Sequence, residues 1–153
     1  MAVTPNTTFT IGDVLTASQM NRFGRGLMAT PVTSTTTDST ITAEEIQLTY
    51  VFTAVSGRNY LLTYSEPSIS STVNSTITAR LRESSLGGTN INSTQLYSVS
   101  GFNGQVVMQS IYTATASGSL TIVATLQSSA GTATATRLSS RFPELYAIDV
   151  GAN

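Results

Sequence analysis

Hydrophobic and polar residues alternate with a period of two along most of this chain. The pattern is clearest from Ile46, where Ile46, Leu48, Tyr50 and Phe52 share one face and Gln47, Thr49, Val51 and Thr53 the other. Ser56-Gly57-Arg58-Asn59 reads as a hairpin turn. Tyr60, Leu62 and Tyr64 then return on one face, and Pro67 is expected to end that strand. Ile77, Ala79 and Leu81 alternate with Thr78, Arg80 and Arg82; Ser84 to Asn92 reads as a loop and Ser93 to Ser100 as a further strand. Gly101-Phe102-Asn103-Gly104 is the sharpest turn signal, followed by Val106, Met108, Ser110 and Tyr112 on one face. Leu120 to Leu126, Thr132 to Leu138 and Glu144 to Val150 complete the series, and Thr-rich Val32 to Thr37 predicts an edge strand. Turns about every 8–12 residues are the spacing of a sandwich or barrel. Eight strands in about 120 residues fit an all-β jelly-roll sandwich.

The first thirty residues follow a different rule. Thr16 and Gln19 have the spacing of a capping box, and Asp13 adds negative charge near the positive end of a helix dipole. Met20, Phe23 and Leu27 fall on one face of the helix of two or three turns that this predicts. Gly24 and Gly26 weaken it, and Pro31 stops it. So short a helix is unstable alone and must dock on something. The chain therefore divides into an anchoring arm and short helix, residues 1–30, and a sandwich, residues 31–153.

Composition supports the β reading. Charged residues make up only 10% of the 153 positions and the net charge is -1, while Ser and Thr fill roughly a third. Disorder couples low hydrophobicity to high net charge, whereas Thr is a good strand former. Near-zero charge gives a free monomer little protection against association, and Thr-rich edges without Lys pair easily. Both points favour a subunit of an assembly. The chain has no Lys and no basic patch, so nucleic-acid binding is not expected. It also has no apolar run of membrane-spanning length and no signal-peptide pattern at its start.

The chemical inventory is short. Without His or Cys, the usual general base, thiol nucleophile and zinc ligands are missing. Glu44 and Glu45 are adjacent and point to opposite faces of a strand, and no D-x-D-x-D calcium loop is present. We therefore expect no enzyme activity, no metal and no cofactor. Arg80 and Arg82 share a strand face, as a cationic strip for an acidic partner or, the blander reading, as a solvated outer face. Asp149 is expected to pair with Arg141 or Arg137. Tyr60 and Tyr64 read as core or subunit interface. Phe102, at a Gly-flanked turn, would contact a partner or receptor if exposed, but is expected to fold back and plug the end of the sandwich.

Two stretches carry a resemblance. Phe9, Gly12-Asp13-Val14-Leu15-Thr16-Ala17 and Asn21 resemble the F-x-x-G-x-V-L-T-A-x-x-x-N opening of small bacteriophage virion surface proteins, and Arg141 with Leu145 to Gly151 is similar to the closing strand of their jelly-roll domains. The resemblance implies an attaching front end and a trimeric sandwich. On it, Phe9, Val14, Leu15, Met20, Phe23 and Leu27 would anchor the chain to a capsid or tail protein of the particle. A capsid decoration or head-fibre subunit of the virion, made in the host cytoplasm, is the expected role. A tail-fibre or minor tail protein, or a carbohydrate-binding module contacting a host-surface glycan, are the alternatives. Phe102, Arg80 and Arg82 are the candidate receptor or partner contacts.

Overall fold

The computed structural model describes residues 17–20 and 22–152. Phe9, Val14, Leu15 and the Thr16 half of the capping box lie outside them. Two antiparallel sheets pack face to face as a jelly-roll β-sandwich. Strands β1 (Gly26–Leu27), β2 (Val32–Thr33) and β3 (Asp38–Ile41) are short. The main strands are β4 (Glu45–Ala54), β5 (Arg58–Ser71), β6 (Ser75–Glu83), β7 (Asn90–Ser98), β8 (Gly104–Thr113) and β9 (Gly118–Ser128). Short β10 (Ala133–Ala135) and long β11 (Glu144–Ala152) end the series. One sheet runs β4-β9-β6-β7. The other is built around β5, which pairs with β8 along one edge and with β11, then β10, along the other.

The core is the set of positions that the alternation predicts. Leu48, Tyr50, Phe52, Tyr60, Leu62, Tyr64, Ile77, Leu81, Ile122 and Leu126 are all buried between the sheets. Each such side chain contributes about 1.5–3 kcal/mol relative to leaving it in water. Phe52 stands edge-on to Tyr60, with ring centroids 5.0 Å apart, a favoured aromatic geometry.

Five local expectations need correction. Ser56 to Asn59 is no hairpin turn, because β4 and β5 belong to different sheets and do not pair. Ile46 is exposed despite its phase with Leu48, because the β4–β9 register shifts between the two; the bulge turns its side chain outward. Pro67 does not end β5, which continues to Ser71. Pairing with β11 stops at Ser65, pairing with β10 begins at Ile69, and the β8 register shifts between Glu66 and Ile69. Pro67 thus occupies an interval where no ladder needs its missing N–H. The expected loop up to Asn92 is shorter, since β7 already begins at Asn90.

The helix is the largest correction. Among the described residues it spans Ala17–Met20, and the Phe23 N–H then donates to the Met20 carbonyl at 3.2 Å. Phe23 and Leu27 are not on a helix, and Leu27 belongs to β1, opposite Ile148 of β11. The glycines explain it. Gly26 has φ +81°, which a helix cannot use, and a Cβ on Gly24 would lie 2.6 Å from the Asp149 carbonyl oxygen. Residues 22–28 are laid against β11 instead of coiled.

Candidate functional site

Three places carry the candidate residues. The first is the root of the arm. The Phe23 carbonyl accepts from Arg58 Nη2 at 2.6 Å, and the Met28 N–H donates to the Ala147 carbonyl at 3.0 Å. Close approach continues at Gly151, where a Cβ would meet the Arg22 carbonyl oxygen at 2.3 Å. Tyr50 reaches from the core to donate to the Ala29 carbonyl at 3.0 Å. The main chain of this strap is therefore fixed to the sandwich, and Met28 packs on the core. The side chains of Met20, Phe23 and Leu27 are not covered and stay 53%, 53% and 52% exposed.

Arg58 holds the strap because Asp149 holds Arg58. The two form a two-point pair, Nε to Oδ2 at 2.6 Å and Nη2 to Oδ1 at 2.8 Å. Burial pushes the Asp149 carboxyl up, but the hydrogen bonds from Arg58 and from the Gly151 N–H outweigh it and hold it below the usual carboxylate range. Asp149 therefore pairs with neither Arg141 nor Arg137, as the sequence suggested. Arg137 instead meets Glu66, Nη2 to Oε2 at 2.7 Å, in a second buried pair to which Tyr64 donates at 3.2 Å. Burial raises the Glu66 carboxyl. The two pairs flank the apolar run Tyr60, Leu62, Tyr64 on β5.

The second place is the outer face of the β6 sheet. Arg80 and Arg82 form neither an open cationic strip nor a solvated face. Both converge on Glu44: Arg82 donates from Nε at 2.7 Å and Nη2 at 2.9 Å, and Arg80 Nη1 lies 3.2 Å away. Thr125 adds its hydroxyl at 2.7 Å. The Arg82 hydrogen bonds, foremost, lower the Glu44 carboxyl. Glu45 points the other way, toward Asp38 and Gln47, and burial with Asp38 beside it raises its carboxyl. Among the described residues no group of three or more acidic side chains has the geometry of a metal site.

The third place is the turn between β7 and β8. Phe102 does not fold back; it is 70% exposed. With Tyr97, itself 64% exposed, it borders an open groove of about 490 Å³ that Leu96, Val99 and Asn103 help to line. Sequence reasoning missed Tyr97, although its phase opposite Leu96 marks it as outward. Tyr60 and Tyr64 are fully buried in the chain's own core, away from any partner.

Fold and sites together define a jelly-roll structural or binding module, whose candidate surfaces offer apolar and aromatic contact. No protein-family model matches the chain, and no curated protein sequence matches it. Solved structures do show loose likenesses. A structure described as CBM4 structure and function is 17% identical, with a TM-score of 0.38 over 74% of this chain and 81% of that one. TmCBM61, solved in complex with β-1,4-galactotriose, is 12% identical, with a TM-score of 0.37 over 84% and 91%. The Gx strain structure of infectious bursal disease virus is 12% identical, with a TM-score of 0.39 over 82% of this chain but only 39% of that one. Likenesses at this level assign neither ligand nor assembly, and the fold rests on the strand register above.

Proposed function

We propose that this chain is a non-enzymatic structural subunit of a bacteriophage particle, a capsid decoration or head-fibre protein held to the virion by its N-terminal arm and working as a homotrimer. One observation carries the proposal. At the root of the arm the main chain is fixed to the sandwich, while Met20, Phe23 and Leu27 keep apolar side chains half exposed. A fixed root gives an arm a defined point of departure, and uncovered apolar side chains gain by burial against a second protein. Phe9, Val14 and Leu15 extend that apolar series toward the start of the chain. The partner is the major capsid protein, and a tail-fibre or minor tail position would use the same residues. The absence of His and Cys fits a role in binding. The test is an immunoblot of density-banded particles from a lysate of the host that carries the gene. The chain is expected to band with the particles; recovery only in the soluble fraction would refute the proposal.

A second reading rests on the groove at Tyr97 and Phe102. Exposed rings beside an amide such as Asn103 suit the apolar face of a sugar with a hydrogen-bonding edge. On a particle surface this would add receptor contact to the structural role. A glycan array with the Phe102→Ser variant as control tests it, and equal signals from both would remove it.

A further inference from the structure

An antiparallel sheet with one face in the core ordinarily turns a polar face to water. The sheet built on β5 sets an apolar row within that face. Leu61 lies opposite Ile148 on one side and opposite Ile111 on the other. Cross-strand partners project from the same side of a sheet. Ile148, Leu61 and Ile111 therefore form one row across β11, β5 and β8, on the side away from the buried Tyr60 and Leu62. Ile111, at its end, is more than half exposed. The next row, Tyr146, Thr63 and Gln109, is uncharged. The row after it holds Ser65 and exposed Val107, with Glu144 at its border.

We infer that this outer face is the contact between copies of this chain, turned toward the axis of the oligomer. The inference deepens the structural reading above and rests on it for the expectation of an oligomer. Charge points to a second copy as the occupant. The two rows carry no formal charge and the whole chain only -1, so copies of the face converge on a shared axis without the like-charge repulsion that a charged patch would impose. Size agrees as well. Three strands about 4.8 Å apart and about seven residues long, at about 3.3 Å each, give a patch of roughly 300 Å². It supplies the centre of an interface whose standard share is about 800 Å² per partner.

The test compares the mass of the full-length chain by light scattering with that of Ile111→Glu and Val107→Glu, both at exposed positions, and of Leu86→Glu, exposed in the loop between β6 and β7. Ile111→Glu and Val107→Glu each set like charges across a symmetric contact. Half-association is expected to need at least about 10-fold more protein, while Leu86→Glu associates as the parent does. Circular dichroism checks that the variants fold. Because the chain has no Cys, an environment-sensitive dye on Ile111→Cys gives a second readout, with a blue shift expected as concentration rises. Unchanged association of both Ile111→Glu and Val107→Glu, or a dye that stays in water while the chain associates, would overturn the inference and leave virion attachment standing. A parent chain that is monomeric in solution yet bands with particles would overturn it too. An oligomer broken by Ile111→Glu in a chain that never bands with particles would uphold the face and refute the virion role.

Discussion

Arg58 and Asp149, 91 residues apart, meet in a two-point ion pair whose side chains are 4% and 0% exposed. The pair joins the first residue of β5 to the end of its neighbour β11, and Arg58 passes a further hydrogen bond to the Phe23 carbonyl. The β5–β11 pairing and arm attachment thus share one guanidinium.

Removing the carboxylate leaves that guanidinium buried without its counter-charge. Asp149→Asn is expected to cost about 3 kcal/mol, at the low end for a broken buried pair. Urea unfolding monitored by circular dichroism measures it. Limited proteolysis should also find the strap near Phe23 cut sooner than in the parent. A loss under about 0.5 kcal/mol, the range of ordinary surface changes, would contradict the account of the clamp.

Gly24 and Gly151, where the strap crosses β11, should tolerate no side chain. Gly151→Ala would set a Cβ against the Arg22 carbonyl in backbone of φ +116°, and Gly24→Ala would meet the Asp149 carbonyl. Each is expected to destabilise by about 1–3 kcal/mol. Gly87→Ala is the contrast, since nothing lies within 4 Å of its added Cβ; it should be neutral or stabilising by up to about 1 kcal/mol. Thermal midpoints of the three variants give the ranking.

Acid should loosen the sandwich through Glu44 and Asp149. Both carboxyls are lowered from ordinary values of 4.5 and 3.8, Glu44 chiefly by Arg82 and Asp149 by Arg58 and Gly151 against the pull of burial. A carboxyl lowered in the folded state adds stability that is full above its unfolded value and lost as pH falls through its folded one. The contribution of these two groups should therefore hold down to about pH 4.5 and then fall, while Glu66 and Glu45, raised by burial, act in the opposite sense. Glu44→Gln should be less stable at neutral pH and show a flatter decline below it. A variant that keeps the parent's full acid sensitivity would exclude Glu44 as a source of it.

Phe102→Ser should leave stability within about 0.5 kcal/mol of the parent, because an exposed ring contributes little to folding. A large loss of thermal midpoint would instead mean that the ring covers the end of the core.

Most strands were legible because each long strand buries one face, so alternation named Leu48, Tyr50, Phe52, Tyr60, Leu62 and Tyr64 as inward. The bulges were not legible. Nothing local marks the shift that exposes Ile46, or the interval in both ladders that lets Pro67 sit within β5. The ion pairs were half legible. Arg58 and Glu66 are in phase with Tyr60 and Tyr64, and Asp149 with Leu145 and Ala147, so their inward direction was readable. Their partners lie 91 and 71 residues away, and pairing at that range is set by strand order. The strap misled because Met20, Phe23 and Leu27 have helical spacing, while the space beside β11 and the φ of Gly26 decided otherwise. Exposure at Phe102 depended on whether the turn folds over the sandwich, which its residues do not encode.

The most direct measurement of the central claim is the occupancy of particles by the full-length chain against Val14→Asp/Leu15→Asp, two substitutions in the arm. Particles lacking the chain are mixed with each purified protein, banded, and the bound copies counted by quantitative immunoblot. The account predicts saturable binding of the parent. The variant, with its sandwich intact by circular dichroism, should bind at least about 10-fold less, as the loss of buried apolar contacts worth about 1.4 kcal/mol or more would give. Equal occupancy by both proteins would show that attachment does not run through the arm.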